Sequence, residues 1–218
     1  MTHKLPKPYR LCEEVANAIT HGIGALLSII GLVILIVHAI LFAPEGQTAI
    51  YVTAFSVFGF SMIFLYLMST LYHSLLRTRA YPIFERLDHS AIYVLIAGTY
   101  TAYCLTVLRG SVGWLIFGVI WGLAIAGVAC YAVFGSRLRV ISLLTYIPMG
   151  WLIVFAADPL RAEISQTSWV LLISGGVVYT VGAVVYALRK IKWTHPVWHL
   201  FVMGGTMLHF FSILDIIK

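Results

Sequence analysis

Charged residues are scarce in this sequence, and several familiar catalytic motifs are missing from it. Only 10% of the 218 residues are Asp, Glu, Lys or Arg, whereas a soluble domain usually carries about 25%. There is no HExxH and no GxSxG motif, which excludes a standard zincin protease and an α/β-hydrolase elbow. No lysine precedes Lys218 in the last apolar stretch, so a retinal protein is excluded as well.

The cysteines and the net charge also exclude more than they assign. Cys12, Cys104 and Cys130 are odd in number and form no CxxC pair, so we expect small buried side chains without a redox or metal function. The net charge is +6. It does not indicate a nucleic-acid partner, because the Lys and Arg residues lie in short loops and form no basic patch interleaved with aromatic residues.

Apolar residues make up 61% of the sequence and recur in stretches long enough to cross a bilayer. Each crossing needs about 20 residues, and helices are expected because lipid cannot satisfy the polar groups of the backbone. The sequence therefore predicts an all-α integral membrane protein, a single domain of seven transmembrane helices over residues 1–218 in which residues 1–12 form a cytoplasmic tail. The predicted spans are 15–42, 48–75, 87–108, 112–134, 138–157, 166–189 and 195–216.

The positions of the cations predict the orientation of these spans. Only Arg109, Arg161 and Lys218 fall on one side of the predicted membrane. Because cytoplasmic loops carry an excess of Lys and Arg, the N-terminus is predicted in the cytoplasm and the C-terminus outside. The eleven cations on the predicted cytoplasmic side are Lys4, Lys7, Arg10, Arg77, Arg79, Arg86, Arg137, Arg139, Arg189, Lys190 and Lys192.

Small residues repeat at helical spacing in two of the spans. Gly118, Gly122 and Ala126 share one face of the fourth span, and Gly175 and Gly182 lie along the sixth. Such faces let two membrane helices approach closely. We expect them to pack helices of this chain together, and an oligomer can form through the same faces.

Polar groups gather at one end of four predicted spans, although ionisable residues inside a membrane are costly. His73 ends the second span, Asp88 opens the third, and His195 and His199 lie in the first turns of the seventh. Scattered core histidines would not be expected to share one membrane level in this way. The first span contributes further polar residues at the same level, namely Glu13, Glu14, Asn17 and His21.

Three of these histidines have the pattern of a metal site. His195 and His199 are four residues apart and therefore share a helix face, and His73 lies at the same predicted depth. Three imidazoles suit zinc, and three protein ligands leave a fourth position for water, as in catalytic zinc sites. We predict a zinc ion held by these three residues; a proton relay without a metal is the alternative.

The neighbouring polar residues suit supporting roles. Zinc lowers the pKa of a bound water to about 7, so Asp88 can hold that water or act as general base. Ser69, one turn before His73, can orient a ligand or polarise a substrate carbonyl. Ligating histidines usually donate to an acceptor, and Glu14 and Asn17 are the candidates. His21 either binds the metal itself or hydrogen-bonds one of its ligands.

Four motifs follow one another along the chain with suitable spacing. They are Glu-Glu-Val-Ala-Asn at 13–17 leading to Thr-His-Gly at 20–22, Ser-Thr-Leu-Tyr-His at 69–73, Asp-His-Ser-Ala-Ile-Tyr at 88–93 followed by Ala-Gly-Thr-Tyr-Thr at 97–101, and His-Pro-Val-Trp-His at 195–199. Together they resemble the motifs of the bacterial hemolysin III family, within the progestin and adipoQ receptor superfamily. The resemblance covers essentially the whole chain. It implies seven helices with the N-terminus inside, zinc ligands at the three histidines, and Asp88 and Ser69 beside the zinc water.

The same resemblance implies a function in membrane lipid. In adiponectin receptors and the related alkaline ceramidases, the zinc site resembles that of an amide hydrolase acting on ceramide. Bacterial members are named for cytolysis by pore formation, and some are linked to membrane-lipid homeostasis. We therefore expect a multi-pass protein of the bacterial inner membrane that hydrolyses an amide or ester bond of a membrane lipid. The alternatives are a pore-forming cytolysin and a non-catalytic lipid-sensing regulator whose zinc is structural.

Overall fold

The computed structural model describes residues 8–188 and 191–217, and within them the regular structure is entirely helical. Two 3₁₀ turns flank the fifth helix, at Gly135–Leu138 and Leu152–Ala156. The α-helices are α1 (Pro8–Phe42), α2 (Thr48–Ser74), α3 (Tyr81–Thr106), α4 (Ser111–Phe134), α5 (Arg139–Trp151), α6 (Ala157–Glu163), α7 (Gln166–Ala187) and α8 (Thr194–Leu214). Most of the predicted tail lies outside the described residues, as do the cations Lys4, Lys7, Arg189, Lys190 and Lys218.

Five segments among the described residues are helical, long and apolar enough to cross a membrane: 11–42, 48–74, 111–163, 166–187 and 194–214. Many of their large apolar side chains are exposed, including Leu26 at 65% and Leu115 at 67%. Exposed leucines on this scale suit lipid rather than water. The predictions of an all-α chain and of a membrane protein with several spans are therefore confirmed.

α3 is not one of the five segments, because threonines and tyrosines make it more polar than its neighbours. More than half of its 26 residues are buried, and it contacts α2, α4, α5 and α8. Its hydroxyl groups are largely satisfied inside the protein: Tyr103 Oη lies 2.7 Å from Ser212 Oγ of α8, and Trp121 Nε1 of α4 donates to Thr101 Oγ1 at 3.0 Å. α3 is therefore a polar helix that is packed between α2, α4, α5 and α8.

α1 presents one narrow inward stripe to α2 and α8, the two helices with which it makes most of its contacts. Buried residues recur along it every three or four positions, as expected for one face of a helix. The stripe is polar near the N-terminal end of α1 and consists mostly of small or apolar residues toward the C-terminal end. Its members are Asn17, His21, Gly24, Ser28, Gly31, Leu35 and Ala39.

Three predicted boundaries are corrected by the structure. α1 already begins at Pro8, inside the predicted tail, because proline is well tolerated in a first turn, where its missing N–H would have no helical partner. For the same reason Pro82 lies at the start of α3, which begins at Tyr81 and not at residue 87. The predicted fifth span is interrupted: Pro148 lies inside α5, which ends at Trp151 and continues through a 3₁₀ turn into α6.

Tyr100 of α3 satisfies the backbone where this fifth span is interrupted. Its hydroxyl donates to the carbonyl of Gly150 at 2.8 Å and accepts from the N–H of Ile153 at 2.7 Å. Unpaired backbone groups at membrane depth cost several kcal/mol in general. A buried side chain therefore compensates for a break that proline and the 3₁₀ turn create.

The small residues behave differently in the two helices that carry them. Gly175 and Gly182 of α7 lie so close to α8 that a Cβ atom would overlap His209 and Phe201, which agrees with close packing. Gly118 and Gly122 of α4 face open space instead, with no atom within 4 Å of a Cβ built there. The expected packing within the chain is therefore wrong for α4. An oligomer formed through that face stays a prediction.

The cysteines differ from expectation as well. Cys104 is buried in the core, as predicted. Cys12 and Cys130 are exposed on α1 and α4, because their positions fall on helix faces that point away from the bundle. None of the three forms a disulfide.

Candidate metal centre

Three histidines from two helices converge at one end of the bundle. His73 lies in the last turn of α2, and His195 and His199 lie in the first turns of α8. Each offers one ring nitrogen, and these nitrogens lie within 4.8 Å of one another. The ring centroids are 4.8 to 5.1 Å apart. These three residues, called here the histidine cluster, are placed so that they can hold a metal ion.

α8 is held in register by a contact with α1. Trp193 precedes the helix with φ of 67°, the one left-handed non-glycine residue of the described chain. Its backbone N–H donates to Glu13 Oε1 at 2.5 Å. Such a backbone conformation is uncommon and persists only where the surroundings hold it. Glu13 therefore helps to fix where α8 begins, and with it the height of His195.

His73 is oriented by the start of α1. Its Nδ1 donates to Glu14 Oε2 at 2.5 Å, and the amide nitrogen of Asn17 lies 3.4 Å from the same ring atom. A neutral imidazole has one N–H, and a carboxylate can only accept. The Nε2 atom of His73 therefore carries a lone pair. It faces the histidine cluster and is buried without a hydrogen-bond partner.

His199 is oriented by the next turn of α1. Its Nδ1 lies 3.2 Å from Thr20 Oγ1, and its ring stacks on that of His21 with centroids 3.5 Å apart and an interplanar angle of 7°. Both ring nitrogens of His21 are buried without a hydrogen-bond partner. His21 is thus in ring contact with a histidine of the cluster, and its two predicted roles stay predictions.

Ser69 and Asp88 line the same cavity as two cluster histidines. This cavity, called here the site cavity, has about 530 Å³ of empty space and is bounded by His21, His195 and His199 among others. Ser69 Oγ is buried without a hydrogen-bond partner. The Asp88 side chain is 15% exposed, with Oδ2 3.6 Å from His89 Nδ1.

An apolar cavity continues from the site cavity into the bundle. Its empty space, including the part open to the surroundings, is about 980 Å³. Its wall is formed by α3, α5, α7 and α8, and reaches as far as Tyr103 and Leu172. The two cavities share the side chains of Leu65, Ile92, Leu143, Tyr146, Trp198 and Val202.

A polar vestibule lies on the other side of the histidine cluster. It has about 650 Å³ of empty space and is bounded by Glu13, Glu14, His73 and His195 among others. It shares His89, Arg139, Tyr186 and His195 with the site cavity. The histidine cluster therefore lies between the vestibule and the site cavity, and the apolar cavity adjoins the site cavity.

The unpaired atoms of the site suit a metal ion and a polar ligand. A buried polar atom without a hydrogen bond usually costs about 1–3 kcal/mol. Such atoms belong here to His21, Ser69 and His73, which all lie around the cluster. Two nitrogens bound to one tetrahedral zinc ion are about 3.4 Å apart, so the ring nitrogens, which lie within 4.8 Å of one another, have to approach one another to bind it. Imidazole donors and a nearby carboxylate are ligands that zinc accepts.

The remaining histidines do not join the cluster. His38 Nε2 donates to the carbonyl of Ile217 at 3.2 Å, and His209 Nε2 donates to that of Leu172 at 3.1 Å. His89 Nδ1 donates to the carbonyl of Glu85 at 3.0 Å, and its ring stacks on Tyr131. All three are hydrogen-bonded within the bundle.

Some residues of the site were not singled out from the sequence. Arg139 was counted only as a loop cation, yet it is ion-paired with Glu85. Its side chain is 31% exposed and borders both the site cavity and the polar vestibule. Thr20 and Tyr186 were also missed; the Tyr186 ring lies 5.5 Å from that of His195. The spacing of Thr20 three residues after Asn17 is a signal that could have placed it on the inward face of α1.

Comparisons with known proteins agree with this architecture. The model of the family described as haemolysin-III related matches residues 9–210. The chain is 47% identical over 215 residues to hemolysin-3 of Bacillus cereus, covering 98% of this chain and 96% of that protein. It is 45% identical over 206 residues to the hemolysin-3 homolog of Bacillus subtilis (strain 168), covering 94% and 95% respectively.

A more distant relative comes from animals. The human monocyte to macrophage differentiation factor is 27% identical over 229 residues, which cover 98% of this chain and 90% of that protein. It is a member of the progestin and adipoQ receptor superfamily. The resemblance seen in the sequence motifs is therefore confirmed both for the family and for the superfamily. Family match and close relatives together show that this chain belongs to the haemolysin III family.

Proposed function

We propose that the chain crosses the cell membrane seven times, with its N-terminus in the cytoplasm and its C-terminus outside. The helical run 111–163 has 53 residues; at 1.5 Å per residue it is about 80 Å long, enough for two crossings of a core about 30 Å thick. α3 then crosses inside the ring of more apolar helices. The ratio of eleven cations to three supports the orientation and brings the histidine cluster to the cytoplasmic end.

The ion that the cluster suits best is zinc, with His73, His195 and His199 as its ligands. Glu14 and Thr20 occupy the Nδ1 atoms of His73 and His199, so both rings can offer Nε2. When bound, zinc supplies a Lewis acid that polarises a carbonyl and lowers the pKa of water. Among the described residues, the group that could hold an ion has three members, so a fourth position remains for water or substrate.

The chain's own residues supply the rest of the chemistry. Asp88 borders the site cavity and can take a proton from the attacking water, and then return it to the leaving group. Ser69 Oγ and the ring nitrogens of His21 have no hydrogen-bond partner in the described protein, so the Ser69 hydroxyl and the one N–H of a neutral His21 can donate to a substrate carbonyl. The polar vestibule admits water from the cytoplasm.

The reaction that this site supports best is hydrolysis of an amide or ester bond in a membrane lipid. One observation carries the proposal: the apolar cavity adjoins the site cavity, which is lined by His195 and His199, and His195 also borders the polar vestibule. An acyl chain fits the first, and the cleavable carbonyl then lies beside the cluster. The products are a fatty acid and an amine or alcohol, and their release would adjust the composition of the membrane.

Metal analysis combined with lipid turnover tests this proposal. Purified wild-type protein should contain about one zinc per chain, and His73→Ala should lose both the metal and the turnover of lipid in reconstituted vesicles. His38→Ala is the matched control, because that histidine lies away from the cluster. Wild-type protein that contains no metal after careful purification would contradict the zinc site and the hydrolysis together.

Two other functions make different predictions. A pore-forming cytolysin is favoured by the name hemolysin-3 of the relatives, and it requires that reconstituted protein release a trapped dye from vesicles. A lipid-sensing regulator would bind lipid without turnover and would keep its function in Asp88→Asn. Vesicle lipids that are cleaved by the wild type but not by Asp88→Asn, with no release of dye, would favour the hydrolase over both.

A further inference from the structure

Thr20 links the first helix to a histidine of the cluster. It lies on α1 between Asn17 and His21, and its Oγ1 is 3.2 Å from His199 Nδ1. The same oxygen is 2.9 Å from the carbonyl oxygen of Ala16 and 3.0 Å from that of Asn17, within its own helix. Thr20 Oγ1 therefore lies within hydrogen-bonding distance of two carbonyl oxygens of its own helix and of one ring nitrogen of His199.

The hydroxyl group of Thr20 donates its hydrogen to a backbone carbonyl of its own helix. A hydroxyl donates one hydrogen and accepts through its lone pairs, and a backbone carbonyl only accepts. The two carbonyl oxygens are the nearer partners, so the hydroxyl donates to one of them. A lone pair of Thr20 then faces His199, whose Nδ1 must carry the hydrogen.

This assignment decides the state of the opposite ring nitrogen. A neutral imidazole has one N–H, so His199 presents a lone pair at Nε2, the form in which it can bind a metal.

We propose that Thr20 is a positioning residue for the metal site: its hydroxyl selects the Nδ1–H tautomer of His199 and holds the ring toward His73 and His195. It does for His199, as a neutral acceptor, what Glu14 does for His73 with a charge. Residues of α1 thus orient two ligands, one on α2 and one on α8. The inference rests on the metal site of the proposed function and not on hydrolysis.

Zinc affinity of the purified full chain measures this role. Thr20→Val keeps the shape of the side chain but removes the acceptor, and it should weaken zinc binding about tenfold in competition with a chelator. That is the lower end of the 10–100-fold range usual for such partners, because Thr20 is a neutral acceptor. Thr20→Ser should restore most of the affinity. Thr99→Val is the control, since Thr99 is a buried threonine that donates to its own helix at Leu95.

The tautomer itself can be observed in zinc-free protein. In ¹⁵N NMR of histidine-labelled protein, His199 should appear as the Nδ1–H form in the wild type, and this form should lose population in Thr20→Val. His199→Gln identifies the signal. A wild-type His199 in the Nε2–H form overturns the proposal, even if Thr20→Val fails to fold.

The outcomes separate this inference from the proposed function. Wild type that binds zinc, with Thr20→Val binding it equally well, overturns the role of Thr20 and leaves the zinc site intact. Wild type that binds no zinc overturns the proposed function, while the NMR measurement still decides the tautomer. Weaker binding in Thr20→Val, rescued by Thr20→Ser, supports the proposal.

Discussion

The contact between Glu14 and His73 provides the sharpest prediction about the metal site. A carboxylate that accepts from a ligating histidine makes the ring a better donor and fixes its orientation. Glu14 Oε2 lies 2.5 Å from His73 Nδ1, and a hydrogen bond from the ring to an ionised carboxylate is charge-assisted. Glu14→Gln keeps the size and an oxygen acceptor but removes the charge, so it isolates the electrostatic part of the contact.

The expected loss follows from the exposure of the two partners. Removing such a partner usually weakens metal binding 10–100-fold, which corresponds to about 1.4–2.8 kcal/mol. The Glu14 side chain is 27% exposed and that of His73 only 2%. Since solvent screens part of the charge of Glu14, we expect a loss near the lower limit, about tenfold.

Chelator competition at neutral pH measures the zinc affinity of each variant. Glu13→Gln is the matched control: it is the adjacent acid, and its oxygen accepts from the backbone N–H of Trp193. The amide oxygen of Gln can still accept there, so the control should bind zinc as the wild type does. Equal affinities of wild type and Glu14→Gln would refute the reasoning, and so would an equal loss in both variants.

Three further predictions test other parts of the molecule. Asp88→Asn should retain zinc but lose about 10²–10⁴-fold in lipid turnover, measured by mass spectrometry of vesicle lipids, as expected for a lost general base; full turnover would contradict that role. Val202→Trp, at the junction of the two cavities, should block turnover but not zinc binding, whereas Leu200→Trp, on an exposed face of α8, should change neither. Tyr103→Phe should lower the free energy of unfolding by about 1 kcal/mol in detergent, because its hydroxyl is hydrogen-bonded to Ser212; an unchanged stability would show that this bond contributes nothing net.

Much of the helical framework was predictable from local sequence. Membrane helices must be long and apolar, and their ends are marked by charge, glycine and proline. The four-residue spacing of His195 and His199 places both on one face of α8 wherever that helix lies. α3 was harder to recognise as part of the membrane domain from apolarity alone, because its threonines and tyrosines find their partners in other helices.

The errors arose where a local signal depends on a distant contact. The predicted fifth span is broken at Pro148 and Leu152, and the break persists because Tyr100 of another helix satisfies the backbone there. Gly118 and Gly122 carry the same small-residue signal as Gly175, but only the α7 glycine meets a neighbouring helix. The spacing shows that small residues share one face of a helix, but it does not show what that face contacts.

The sequence by itself determined the helices, the class of protein and the three histidines that share one membrane level. The reason is that helical periodicity, and the cost of unpaired backbone polar groups in lipid, both act within each segment. Only the tertiary structure decided which partner each histidine has. Glu14 and Thr20 lie six residues apart on α1 yet bind rings from α2 and α8. The meeting of the site cavity with the polar vestibule at His195 is likewise a property of packed side chains, since it depends on gaps between helices that no single helix encodes.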